Sequence, residues 1–119
     1  MEEKLYDSEL RILENLWTAG ELTAKDLAAL AADQVGWSKT TTYTVIKKCV
    51  EKGLVAREDP GFRCRALVSR KEAQQWETRD LIDRMYGGSA DRLVACLLEG
   101  RTLDRPEIDR LRRLVEELR

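Results

Sequence analysis

The sequence predicts a mostly α-helical chain with one small β-hairpin, and three observations lead there. Apolar residues recur at spacings of three and four through most of the 119 residues. Serine, threonine or aspartate stands at the start of nearly every such run, where its side chain can accept from free helix amides. Only the stretch from Leu54 to Val68 departs from this pattern, with strand-forming residues on both sides of Asp59-Pro60-Gly61.

The first helix carries Leu5, Leu10, Ile12, Leu13, Leu16 and Trp17, with Asp7 or Ser8 as its cap and Ala19-Gly20 as its end. Glu21-Leu22 reads as a short extended link. Thr23 then caps a second helix through Leu27, Leu30 and Ala32, and Asp26 three residues on completes a capping-box pattern with a shortened acid. Val35-Gly36-Trp37 turns the chain into a third helix, capped by Ser38 and running to Lys52, with Gly53 free to take a left-handed conformation after it.

At 3.6 residues per turn, Thr42, Val45, Ile46 and Cys49 share one face of that third helix. Lys39, Thr40, Thr41, Tyr43, Thr44 and Lys47 lie outside it. Threonine bonds donors or acceptors and offers a methyl to thymine, tyrosine meets sugar, phosphate or a base face, and lysine meets phosphate or guanine. This face suits a DNA major groove.

The strands Leu54–Arg57 and Phe62–Val68 follow, so the order is helix, helix, reading helix, hairpin: a winged helix-turn-helix over residues 1–68. Charge agrees with the order. Residues 1–38 hold three bases and eight acids, a net −5, whereas 39–65 hold seven bases and three acids, a net +4. A local basic block, rather than a basic total, is what a small DNA-binding module needs. Arg57, Arg63 and Arg65 of the hairpin are placed to follow the phosphate backbone.

From Ser69 the chain is helical again, and residues 69–119 read as a three-helix region. Ser69 with Glu72 opens a helix bearing Ala73, Trp76, Leu81, Ile82, Met85 and Tyr86 up to Gly87-Gly88, and Ser89 caps one bearing Leu93, Val94, Cys96, Leu97 and Leu98. The last starts after Asp104 with Pro106 in its first turn and carries Ile108, Leu111, Leu114, Val115 and Leu118. These stripes have little core of their own to cover. Leu81, Met85, Tyr86, Leu93, Leu97, Ile108, Leu111, Leu114, Val115 and Leu118 are therefore expected to pair with a second copy, which also sets two reading helices about one DNA turn apart.

Composition narrows the function. Histidine is absent, which removes histidine-based triads and the usual catalytic zinc sites, and argues against an enzyme. Cys49, Cys64 and Cys96 are isolated and odd in number, so the expectation is buried or half-buried free thiols in a reducing cytoplasm, with no metal and no cofactor. No run approaches the roughly 20 apolar residues of a membrane helix, so no membrane insertion is expected.

The segments SELRILENLWTAGELTAKDLA, WSKTTTYTVIKKCVEKGLV, MYGGSADRLVACLLE and EIDRLRRLVEEL, in that order, resemble the penicillinase repressor and methicillin-resistance repressor family, which includes copper-responsive repressors. The resemblance spans about Leu5 to Leu118. It implies a homodimeric winged-helix repressor of a palindromic double-stranded operator, with reading residues at Lys39, Thr40, Thr41, Tyr43, Thr44 and Lys47. In its antibiotic-responsive branch, a membrane sensor protease pathway leads to a cut in the helix after the Gly-Gly turn. Aligned on Gly87-Gly88 and Leu93-Val94, that bond is Cys96–Leu97, where the family pattern of asparagine then phenylalanine is missing. The paired Cys-X-Cys motifs of the copper branch are missing too.

Two other readings use the same residues. A winged helix can present its faces to a protein, which predicts no strong salt dependence. A thiol switch could use Cys49, Cys64 or Cys96; Cys49 stands near Lys47, Lys48 and Lys52, although it falls on the face expected to be buried.

Overall fold

The computed structural model describes residues 4–118. Its elements run α1 (Asp7–Ala19), β1 (Glu21–Thr23), α2 (Ala24–Val35), α3 (Lys39–Glu51), β2 (Val55–Glu58), β3 (Arg63–Ala66), α4 (Arg70–Met85), α5 (Ala90–Glu99) and α6 (Arg105–Glu116). The result is mostly helical with a small antiparallel sheet, as the sequence predicts. Two compact units divide between Glu77 and Thr78, inside α4.

In the first unit, Ile12, Leu13 and Leu16 of α1 meet Ala24 and Leu27 of α2, Val45, Ile46 and Cys49 of α3, and Leu54, Val55 and Cys64 of the hairpin in one core. Each helix contributes the apolar stripe its spacing predicts. The sheet is larger than the expected hairpin: the order is β1-β3-β2, with Leu22 opposite Cys64 and Arg57 opposite Cys64 from the other side. Glu21-Leu22, read as a link, is thus the first strand. Three residues are too few to display alternation, and what makes them a strand is the otherwise open edge of β3.

The caps explain where the helices begin. Thr23 Oγ1 accepts from the Asp26 amide at 3.1 Å, and Asp26 Oδ2 accepts from the Thr23 amide at 3.3 Å. Ser69 with Glu72 and Asp104 with Glu107 close the same reciprocal box. Two expected caps differ. α1 starts from Tyr6, not Asp7 or Ser8, because Glu9 Oε1 reaches back to the Tyr6 amide at 2.9 Å. Ser89 precedes α5, but its hydroxyl turns to the Asp91 carboxylate instead of the helix amides.

Glu9 does a second job from the same position. Its carboxylate is buried and meets Lys52 Nζ at 2.7 Å, while the ammonium also donates to the Lys4 carbonyl at 2.6 Å. The start of α1 is thereby tied to the end of α3. A buried pair is costly to leave half-made, because the remaining charge has no water to replace its partner.

In the second unit, Arg79 binds Asp83 Oδ1 and the Gly88 carbonyl, each at 3.0 Å, which fixes the Gly87-Gly88 turn to the end of α4. Neither α5 nor α6 has a buried residue in the single chain.

Replacing Glu9 with alanine is expected to destabilise the first unit by about 3 kcal/mol, the usual cost of breaking a buried pair from one side. Urea unfolding of the variant measures it. A loss under about 1 kcal/mol would place the pair in the class of solvated surface pairs.

Candidate nucleic-acid interface

α3 is held by both ends and by its inner face. At its start the Ser38 hydroxyl accepts from the Thr41 amide at 3.1 Å and donates to Thr41 Oγ1 at 3.0 Å. At its end Gly53 takes the left-handed conformation (φ 76°), which brings the Leu54 amide back to the Cys49 carbonyl at 2.9 Å. Between them Thr42, Val45, Ile46 and Cys49 are buried, and Thr42 answers its one polar atom by donating to the Ser38 carbonyl at 3.3 Å.

The opposite face is open. Lys39, Thr40, Tyr43, Thr44 and Lys47 line one shallow surface depression of about 430 Å³. Thr44 donates its hydroxyl proton to the Thr40 carbonyl at 2.9 Å, which leaves the oxygen as an acceptor. Thr41 is exposed as well, but its hydroxyl belongs to the Ser38 cap. Among the described residues, no ion pair engages Lys39 or Lys47, so both charges face solvent uncompensated.

The hairpin cations behave differently from that expectation of free positive charge. Arg63 Nη1 lies 3.4 Å from Glu21, Arg65 Nε 3.4 Å from Glu58, and Arg57 Nη2 3.7 Å from Asp59. Each is exposed and each has an acid beside it. Lys52, counted in the same basic block, is spent inside the protein on Glu9. The positive potential therefore concentrates on α3.

Phe62 is the residue that residue-by-residue reading of charge missed. Its ring lies 5.7 Å from the Tyr43 ring, tilted by 57°, and the Arg57 guanidinium carbon sits 3.6 Å from its centroid. Lys39 Nζ lies over the Tyr43 ring, 5.6 Å from its centroid. The signal was present: Phe62 is the sole phenylalanine and stands at the turn of a hairpin flanked by arginines.

The thiols divide unevenly. Cys49 and Cys64 are fully buried, and loss of hydration pushes both thiols up, Cys49 to about 12 with further help from the Glu9 carboxylate. Lys52 acts in the opposite sense on Cys49 but does not overcome burial. Cys96, expected in an apolar core, is exposed on α5. Its thiol acts on Tyr86, whose hydroxyl is held above its ordinary range chiefly by that neighbour. Among the described residues, no group of histidine, cysteine, aspartate or glutamate could hold a metal ion.

The C-terminal residues expected to pair with a second copy are placed as follows. Leu81, Met85, Leu114, Val115 and Leu118 are exposed, while Tyr86, Leu93, Leu97, Ile108 and Leu111 are half-buried.

The chain has relatives among known proteins. A family model described as penicillinase repressor matches residues 5–117. The chain belongs to the penicillinase repressor family. The methicillin resistance regulatory protein MecI of Staphylococcus aureus is 24% identical over 122 residues, covering 98% of this chain and 99% of MecI. The penicillinase repressor of Bacillus licheniformis is 21% identical over 116 residues, 96% of this chain and 91% of that protein. An uncharacterized 16.5 kDa protein of Latilactobacillus sakei is 28% identical over 110 residues, 91% of this chain and 75% of its own length. A crystal structure of a MarR family transcriptional regulator from Silicibacter pomeroyi matches 81% of this chain and 68% of that one at 25% identity, with a TM-score of 0.46.

As a member of this family the chain is a DNA-binding transcriptional regulator and not an enzyme. Among the described residues, no helix is long and apolar enough to cross a membrane.

At pH 8 a thiol of pKa about 12 is ionised in only about one molecule in ten thousand. Cys49 should accordingly resist a thiol-disulfide reagent in the native protein, as should Cys64, which is equally buried and shifted in the same direction, and both should react once the protein is unfolded. Rapid native labelling of Cys49 would restore the thiol-switch reading.

Proposed function

We propose that this regulator is a homodimeric cytoplasmic repressor that reads a palindromic operator with α3 and steadies itself on the phosphates with the hairpin. The observation that carries the reading is the open face of α3, where Lys39, Thr40, Tyr43, Thr44 and Lys47 share one surface with no acid among them. Two uncompensated ammonium groups supply affinity, and the threonine and tyrosine side chains supply base-edge and sugar contacts. Arg57, Arg63 and Arg65 complete the grip by exchanging exposed carboxylate partners for phosphates.

Dimer formation is assigned to the second unit, through Leu81, Met85, Tyr86, Leu93, Leu97, Ile108, Leu111, Leu114, Val115 and Leu118. A two-fold pair of chains matches a two-fold operator, which is why the half-sites should lie about one helical turn apart. Release through a membrane sensor protease pathway is not part of the proposal. The bond that aligns with the family's cut, Cys96–Leu97, lies inside α5 and lacks the asparagine–phenylalanine pair.

The test is selection of bound fragments from genomic DNA by the purified protein at two salt concentrations. A palindrome that weakens with salt supports the proposal, and no enriched sequence at either salt moves the interface to a protein partner. Replacing Lys47 with alanine should weaken operator binding about tenfold and lower the log–log salt slope by about 0.9, with the dimer intact. Tyr43→Ala should weaken binding with less change in slope. Unchanged affinity in both variants would take α3 out of the reading role.

Ending the chain after Leu103 removes α6 with Ile108, Leu111, Leu114, Val115 and Leu118. Sedimentation should then show monomers at concentrations where the whole chain is dimeric. A truncated protein that remains fully dimeric would place the interface elsewhere.

A further inference from the structure

A cleft of about 440 Å³ opens between α3 and the hairpin, lined by Tyr43, Lys47, Val50, Glu51, Arg57 and Phe62. Its apolar lining comes from two aromatic rings and Val50. Cations stand on both sides of it, Lys47 on α3 and Arg57 on β2. An acid, Glu51, marks the end nearer the C-terminus of α3.

We propose that this cleft seats the sugar-phosphate backbone of one DNA strand, and that Phe62 is the positioning residue that sets Arg57 there. The inference rests on the reading of α3 as the DNA-contacting helix and adds to it a named strand site and a residue that acts through another. A deoxyribose is the apolar part of the backbone and a phosphate its charged part, so rings flanked by two cations match both. Glu51 repels phosphate and confines the strand to the Lys47 and Arg57 end.

The placement of Arg57 follows from the stack. An exposed arginine samples many rotamers, and fixing it on binding would cost conformational entropy. Here the guanidinium carbon lies 3.6 Å from the Phe62 centroid, in stacking contact, whereas its carboxylate partner Asp59 is exposed and 3.7 Å away between nitrogen and oxygen, beyond hydrogen-bond range. The ring also touches Tyr43 at 5.7 Å, so the position of Arg57 is referred directly to the reading helix. The Phe62 carbonyl accepts from the Ala24 amide at 2.9 Å, which holds the backbone beneath the ring to α2.

The experiment measures operator affinity and its salt slope for the whole chain, Arg57→Gln, Phe62→Leu and the double variant, with thermal unfolding of each. Arg57→Gln should lower the slope by about 0.9, one phosphate contact. Phe62→Leu should lose most of the same contact, and the double variant should be no weaker than the weaker single. Phe62→Tyr, which keeps a ring for the guanidinium, should bind as the unaltered chain does. Full additivity, or an unchanged slope in Phe62→Leu, would overturn the proposal.

A second measurement needs no variant at position 62. In the unaltered free protein the Arg57 side-chain protons should show upfield ring-current shifts by nuclear magnetic resonance, and ordinary arginine shifts would overturn the stack as a feature in solution. If the unaltered chain binds no DNA, the reading of α3 fails. If it binds with its full slope whatever stands at position 62, only the role of Phe62 fails.

Discussion

A helix can offer one face to a groove only while something rigid holds the other, and in this protein the constraint is the burial of Thr42, Val45, Ile46 and Cys49. Because the repeat is 3.6 residues, committing those four positions to the core determines which side chains point out. Rotating α3 by one residue would bury Tyr43 and Lys47 and expose Thr42, Val45 and Cys49. Burial of valine or isoleucine is worth about 1.5–3 kcal/mol each, so the rotation is strongly opposed. The Ser38 cap and the Glu9–Lys52 pair then stop the helix from fraying at either end. The direction of the outer face is thus set by the inner one.

Charge is organised on the same principle of separating what is held from what is free. Lys52 lies one turn beyond Lys48 in sequence, yet its ammonium is built into the core edge by Glu9 and the Lys4 carbonyl. Arg57, Arg63 and Arg65 rest against exposed acids of the sheet and the hairpin turn. Exposed pairs contribute about 0–1 kcal/mol, so a phosphate can take the place of the carboxylate at little cost. Such a hairpin is nearly neutral at a distance and cationic on contact. Long-range attraction then falls to Lys39 and Lys47, which are placed where the reading contacts would form.

Helices α2, α3, α4 and α6 were legible in the sequence because Thr23, Ser38, Ser69 and Asp104 cap or begin them where their neighbours suggest. The buried face of α3 was legible from its apolar spacing. What was not legible depended on partners far along the chain. Glu21-Leu22 becomes a strand only because β3, some forty residues later, offers an edge. Glu9 looks like a surface acid of an amphipathic helix until Lys52 arrives from the end of α3. Phe62 looks like a strand residue until the hairpin folds it against Tyr43. Counting charge by position also overstated the hairpin, since sequence distance hides that Glu21 lies beside Arg63.

Cys96 marks the limit of reading burial from an apolar stripe. Its neighbours Leu93, Val94, Leu97 and Leu98 define a face as hydrophobic as those of the first unit, yet no residue of α5 or α6 is buried in one chain. A stripe records that a face needs covering and says nothing of whether the cover belongs to the same molecule. In the first unit the cover is the other two helices and the sheet. For Leu114, Val115 and Leu118 the exposures are 60%, 65% and 79%, values that leave most of three large side chains in water. A second copy of the same chain is the occupant that our proposal assigns to them. Two-fold symmetry would bury each such residue twice, so even partial burial at about 25 cal/mol per Å² accumulates quickly, less the cost of association. Under that proposal the exposed stripe and the operator spacing would have one physical origin, because the pairing that covers the leucines would also fix the distance between the two α3 helices.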